Sequence, residues 1–292
     1  MKRKSYIMLI TSMTVLGTIG VFRRYIPVPS ALLALSRGLI GGIFLLICIA
    51  VRKKGAGKRL DGKTLALLCL SGALIGVNWM LFFEGLSYTS VPRATLCYYM
   101  QPTIVLLTSP LIFGERLTGK KLLCALAAIV GMVLVSGVLD GGGMEPDDVK
   151  GMLLALGAAC FYSAVVILNK KITGLDAYVK TTVQLFAAAA VMLPYVIADG
   201  ELAAVTLSAG TVLLIAAVGV IHTGAAYALY FGSMEGLHAQ TISAMSYIDP
   251  VTAMVVSAAV LGEKMTAAGV AGAVLIIGSA IIGERKNKNP AA

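Results

Sequence analysis

Asp249 lies in "SYIDPVTAMVVSAAVLGE", an apolar stretch running from Ser246 to Glu263. A carboxylate at mid-membrane costs about 2.5–3.5 kcal/mol, so it must face a polar interior, a partner or a proton. Three roles are open to it: proton coupling, binding of a substrate amine, or structural pairing with Arg37 or with nearby backbone carbonyls. Arg37 sits in an apolar run of its own and carries a similar cost. Glu84 or Asp249 could pair with it in a structural or gating ion pair. Its counterpart in the second half of the chain, Gln184, favours a polar contact between helices over a clamp on substrate. His222 is one of only 2 histidines. It reads first as a satisfied core imidazole, with a proton relay to Asp249 as the alternative.

Aromatic residues supply the other candidate chemistry. Tyr and Trp offer an apolar wall with one polar tip, which suits an amphipathic solute about the size of an amino acid. Trp79, Tyr98, Tyr99, Tyr162, Tyr227 and Tyr247 are candidates, with Asn78 and Gln101 as polar companions. Tyr98, Tyr99 and Tyr247 lead, because each lies within a turn of Pro102 or Pro250. The alternative is an interfacial aromatic belt, which better suits Tyr230, Phe82 and Phe83. Each proline removes an amide donor and frees the carbonyl four residues back, at Tyr98 and Ser246. Lipid cannot satisfy such groups. The two prolines are therefore read as hinges that open polar backbone toward protein, water or substrate, against a plain packing kink.

Two other patterns carry less. "GKRLDGKT", Gly57 to Thr64, matches a phosphate-binding loop letter for letter, yet it links two apolar segments with no room for the sheet such a loop needs. The 5 cysteines have no metal-type spacing and read as small buried hydrophobes.

The elements that must hold these residues are set by composition. Of 292 residues, 58% are hydrophobic and 13% charged, and mean hydropathy is +0.90. A soluble surface needs about twice that share of charge. Apolar runs long enough to cross a hydrocarbon core of about 30 Å recur at 5–22, 31–51, 65–83, 94–113, 122–139, 151–168, 181–198, 211–231, 242–261 and 267–283. With the N-terminus inside, eighteen of the 24 Lys and Arg fall on the inner side and five on the outer. That asymmetry puts both termini in the cytoplasm and makes the charge of +10 a matter of orientation, with no nucleic acid implied. The expected location is the cytoplasmic membrane.

The chain also repeats itself. "YYMQPTIVLLTSPLIFGE" from Tyr98 matches the stretch from Ser246 at an offset of 148, sharing Tyr99/Tyr247, Pro102/Pro250, Ser109/Ser257, Gly114/Gly262 and Glu115/Glu263. Leu16 to Ile26 resembles Tyr162 to Ile172, and Trp79 aligns with Tyr227. Each half, 5–139 and 151–283, thus holds five spans. Five is odd, so the halves enter the bilayer from opposite faces, an architecture recurrent in secondary transporters. The fold class is an all-α integral membrane protein, ten transmembrane helices as two inverted five-helix repeats. The Gly-Glu pairs read as helix stops with surface charge. Small-residue pairs such as Gly72/Gly76 and Ala127/Gly131 read as packing devices, within one chain or in a homodimer.

Ten spans in two halves, each with "P-x11-G-E-[RK]-x-T" (Pro102 to Thr118; Pro250 to Thr266), resemble the drug/metabolite transporter superfamily and its EamA-type members. The resemblance implies a cavity lined by spans one, three, four, six, eight and nine, with five and ten at the periphery. It also implies carriage of small solutes, many bacterial relatives being exporters. The expectation is a secondary transporter that exports or exchanges a small metabolite such as an amino acid, with protons or another ion for coupling. No metal, nucleotide or covalent cofactor is implied. The rivals are an intramembrane enzyme, which needs clustered acid–base residues absent from this sequence, and a passive channel.

Overall fold

The computed structural model describes residues 2–52, 60–136, 138, 145–198, 207–262 and 266–284. Among them every regular element is helical. Ten segments follow the ten apolar runs: α1 Lys2–Arg24, α2 Ser30–Arg52, α3 Gly62–Leu86, α4 in two pieces (Val91–Tyr98 and Gln101–Phe113), α5 Gly119–Ser136, α6 Pro146–Lys171, α7 Ala177–Ala198, α8 (Ala209–Ala217, Val218–Ala225 and Ala226–Ser233), α9 (Ala239–Ser246 and Ile248–Leu261), and α10 Ala267–Glu284. Eight are long and apolar enough to span a membrane, and Ala267–Gly283 is a shorter apolar helix. Large hydrophobics such as Leu111, Leu123, Leu213 and Val274 are exposed. That outward-facing apolar surface is what lipid accepts and water would not.

Local sequence explains the ends and breaks. Asp61 caps α3 by accepting the Thr64 amide at 3.0 Å. Gly62, Lys63 and Thr64 are therefore the first helical turn, with a carboxylate where a phosphate would have to sit. The rest of the GKRLDGKT stretch lies largely outside the described residues. Pro102 and Pro250 stand just after the interruptions at Tyr99–Met100 and Tyr247, so the helix breaks at matching places in the two repeats. Gly114 and Gly262 end α4 and α9 at φ 65° and 69°, a left-handed cap that glycine adopts without strain. The glutamate following the second cap, Glu263, lies outside the described residues. α8 widens into a π-helical stretch at Val218–Ala225.

The main packing partners between the halves correspond when the halves are exchanged. α3 packs on α6 and α7, and α8 packs on α1 and α2. α4 meets α6 as α9 meets α1, while α2–α7, α4–α9 and α5–α10 pair each segment with its own counterpart. The match reaches single residues. Gly17 of α1 lies against the Asp249 carbonyl, where a Cβ would come within 2.5 Å of the oxygen. Its counterpart Ser163 of α6 instead donates to the Gln101 carbonyl at 3.2 Å. Of the small-residue pairs, Gly72 shows the closest approach: a Cβ there would stand 2.4 Å from the Gln184 carbonyl of α7. Burial of cysteines fails in part, since Cys69 and Cys160 lie on the exposed surface.

Candidate functional site

A cavity of about 640 Å³ lies between the halves, within the size range of small-molecule sites. α1, α2, α3 and α4 supply most of its wall, α6 adds Tyr162, α8 adds Tyr227 and Tyr230, and α9 adds Ser246 and Asp249. Six of those seven segments agree with the expected lining. α2 does not: Ser30, Leu33, Ala34 and Arg37 all face the cavity. α2 was expected to stand outside it, and its place is explained by its packing against α7 and α8, which brings it to the seam between halves.

Arg37 is therefore a wall residue. Its guanidinium lies 4.7 Å from the centre of the Trp79 ring, and Nη2 donates to the Tyr227 hydroxyl at 3.5 Å. Neither expected ion pair forms. The nearest charge partners seen elsewhere among the described residues include Arg93–Asp148 at 2.5 Å, and His238 lies 3.6 Å from Glu115. Glu84 is outside the cavity lining and accepts the Tyr195 hydroxyl at 3.2 Å. Asp249 faces the cavity beside Tyr99. Gln184, the counterpart of Arg37 in the second half, also makes a polar contact between helices, donating to Ser71 Oγ at 2.7 Å.

The aromatic wall is larger than the sequence suggested. Phe82 packs on Tyr98 at 4.7 Å between ring centres, and Tyr162 stacks on Tyr230 at 6.5 Å and 17°. Tyr230, Phe82 and Phe83 all line the cavity and form no interfacial belt there. Helical spacing held the signal: Phe82 and Phe83 follow Trp79 by three and four residues, and Tyr230 follows Tyr227 by three, so each shares a face with a residue already chosen. Tyr247 goes the other way. It is 3% exposed, turned from the cavity, and shares a 2.9 Å hydrogen bond with Thr103. Tyr247 stands two residues before Asp249, and side chains two apart along a helical path do not share a face.

His222 lies outside the lining. Its Nε2 bonds Thr18 Oγ1 at 2.8 Å and its ring meets Phe22 edge-on at 4.7 Å. The imidazole joins α8 to the bend in α1, but it is only half satisfied, because Nδ1 is buried without a hydrogen-bond partner.

The two ends of the cavity differ. At the end where α1 finishes, Arg23, Ser30, Leu86 and Val91 form a mouth. Toward the other end, where the N-terminus lies, the cavity stops at Tyr230 among the described residues, and the buried Phe231, Met234 and Ile242 close the floor with it. Beneath them Glu115 accepts the amides of Ala239 and Gln240 at 2.7 and 3.1 Å, clamping the start of α9 to the end of α4. Gln240 also donates to Ser109 Oγ at 2.8 Å and accepts from Lys121 Nζ. Ser243 Oγ donates to the Pro102 carbonyl, and Lys170 Nζ to the Met234 carbonyl at 3.3 Å. Glu115, expected to be mere surface charge, is thus the centre of the seal. Nearby Lys180, expected in a basic loop, is 3% exposed and donates to the Ile172 and Asn169 carbonyls.

The described residues hold no group of three or more His, Cys, Asp or Glu placed to bind a metal ion. The sequence of the EamA-like transporter family matches residues 3–137 and again 149–283. Among relatives, the uncharacterized transporter YxxF of Bacillus subtilis (strain 168) is 27% identical over 263 residues, 90% of this chain and 84% of its own. The aromatic amino acid exporter YddG of Ancylobacter novellus is 24% identical over 212 residues, 72% of each chain. A solved crystal structure superposes with a TM-score of 0.85 at 23% identity, covering 96% of this chain and 97% of that one, which speaks to fold alone.

Proposed function

Since the chain belongs to the EamA-like transporter family, we propose that it is a secondary active carrier that exports or exchanges a small amphipathic metabolite such as an amino acid. The family is one of transporters, which decides against an intramembrane enzyme. One observation carries the carrier reading over the channel: the cavity is open at one end and closed at the other by buried side chains and a cluster of hydrogen bonds. A channel needs a continuous path, whereas a carrier needs one gate shut. The exchange symmetry of the packing supports alternating access, because swapping the roles of the halves generates a second arrangement of similar energy, open at the other end.

The basic residues support cytoplasmic termini in the cytoplasmic membrane, so this arrangement opens outward. An amino acid fits the cavity's size and aromatic wall, and the name of the Ancylobacter relative supports the same class. Asp249 is the candidate for coupling to protons. Liposomes holding the purified protein and unlabelled phenylalanine should take up labelled phenylalanine against its gradient, with saturation. Flux that rises linearly with concentration and ignores the internal pool would instead establish a channel.

A further inference from the structure

Part of the cavity wall has a counterpart that is buried. Arg23, Leu33, Ala34 and Arg37 line the open side. In the register that sets Leu16 against Tyr162 and Ser30 against Ala177, they correspond to Asn169 of α6 and to Lys180, Thr181 and Gln184 of α7. All four of these are polar, lie on the sealed side, and are at most 3% exposed. Ser71 of α3 ties two of them together, accepting from Gln184 Nε2 at 2.7 Å and from Asn169 Nδ2 at 3.3 Å. Lys180 Nζ donates to the Asn169 and Ile172 carbonyls at 3.2 and 2.5 Å. The cluster is still short of partners: Asn169 Oδ1, Thr181 Oγ1 and Gln184 Oε1 are buried without a hydrogen bond. Buried polar groups are normally paired, so three idle oxygens in one cluster ask for an explanation. The fold does not require polarity there, because the matching positions in the first half accept Leu33 and Ala34.

We infer that Asn169, Lys180, Thr181 and Gln184 form the inward-facing wall of the transport site, buried in this arrangement and exposed when the floor opens. The inference rests on the carrier reading and adds the route by which solute meets the cytoplasm. Exchanging the roles of the halves moves the open wall from α1 and α2 to α6 and α7. Residues opposite the present wall then become wall, and water or solute supplies the partners that the three oxygens lack. The inner wall is no copy of the outer one. It offers one ammonium among two amides and a hydroxyl, where the outer wall has two guanidinium groups beside apolar side chains. Such a surface takes the anionic or hydrogen-bonding end of a solute.

Thr181 is the probe of choice, because its hydroxyl makes no hydrogen bond and Thr181→Cys breaks none. The full chain, lacking its native cysteines, is labelled in oriented membranes with an impermeant thiol reagent. Thr181→Cys should react from the cytoplasmic side, about tenfold faster once Glu115→Ala has removed the hydrogen bonds that hold the floor. Thr182→Cys is the control at the same depth: its counterpart Leu35 is outside the lining, so it should stay inert in both backgrounds. If Glu115→Ala does not fold by size-exclusion and thermal melting, Gln240→Ala loosens the same seal. Ser246→Cys, inside the cavity, reports from the same side whether the floor has opened. An inert Thr181→Cys beside a reactive Ser246→Cys overturns the inference and leaves the carrier reading intact. Equal reaction at Thr181→Cys and Thr182→Cys, or reaction of Thr181→Cys from the outer side alone, overturns it too. A Ser246→Cys that never reacts from the cytoplasmic side sinks alternating access, and this inference with it.

Discussion

The floor and the mouth of the cavity have only α4 in common, and one is sealed while the other is open. At the floor, α4 and α9 are joined by side chains that satisfy buried backbone groups: Glu115 to two amides, Ser243 to a carbonyl, with Gln240 between Ser109 and Lys121. At the mouth, Arg23 donates to the Ile26 carbonyl at 2.5 Å and to Ser30 Oγ at 3.3 Å, bonds that tie α1 to α2 within one half. Closure thus depends on contacts between halves, and openness on contacts confined to one. A sequence repeat can place both sets of residues, but it does not say which set is engaged.

The largest test removes the clamp. Glu115→Ala orphans the amides of Ala239 and Gln240, both buried, at about 1–3 kcal/mol each. In a background lacking the native cysteines, Ser246→Cys should react with an impermeant thiol reagent only from the mouth side, and from both sides once Glu115 is alanine. Reaction from both sides in the parent would erase the contrast between floor and mouth. Next in size is Gly17→Ala, whose methyl would meet the Asp249 carbonyl at 2.5 Å and Thr252 Cβ at 2.7 Å. Overpacking of this kind costs about 1–3 kcal/mol, so the melting temperature should fall and labelling at Asp249→Cys should change with it.

Tyr247→Phe loses one hydrogen bond at the floor, to Thr103, for about 1 kcal/mol. Because Tyr247 lies outside the cavity, the order of affinities for solutes should not move, and a changed order would return it to the site. The smallest effect belongs to the mouth. Ser30→Ala, which removes an acceptor of Arg23, should alter stability by less than about 0.5 kcal/mol and leave the floor sealed.

Much of the fold was legible because lipid imposes simple rules. Span number followed from length and apolarity, and the helix breaks from Pro102 and Pro250. The aromatic wall was half legible: Trp79, Tyr98, Tyr99, Tyr162 and Tyr227 were chosen on span and depth, while Tyr230, Phe82 and Phe83 were set aside for lying near span ends. A mouth and a deep wall extend to span ends, so depth alone misjudged them. Arg37 was harder to place because α2 reaches the lining only through its packing on α7 and α8, and Tyr247 because nearness to Pro250 and Asp249 in sequence does not put a side chain on their face.

What the sequence decided alone is the set of parts: ten apolar segments, a duplicated helix-breaking proline, and ionisable groups too costly to leave in lipid. Those follow from solvation and backbone chemistry, which act residue by residue. What only the tertiary structure decided is which of those parts meet. That Arg37 and Asp249 share a wall without pairing, and that Glu115 holds α9 shut, are properties of how the two halves pack, and packing is a relation between distant residues that no local pattern encodes.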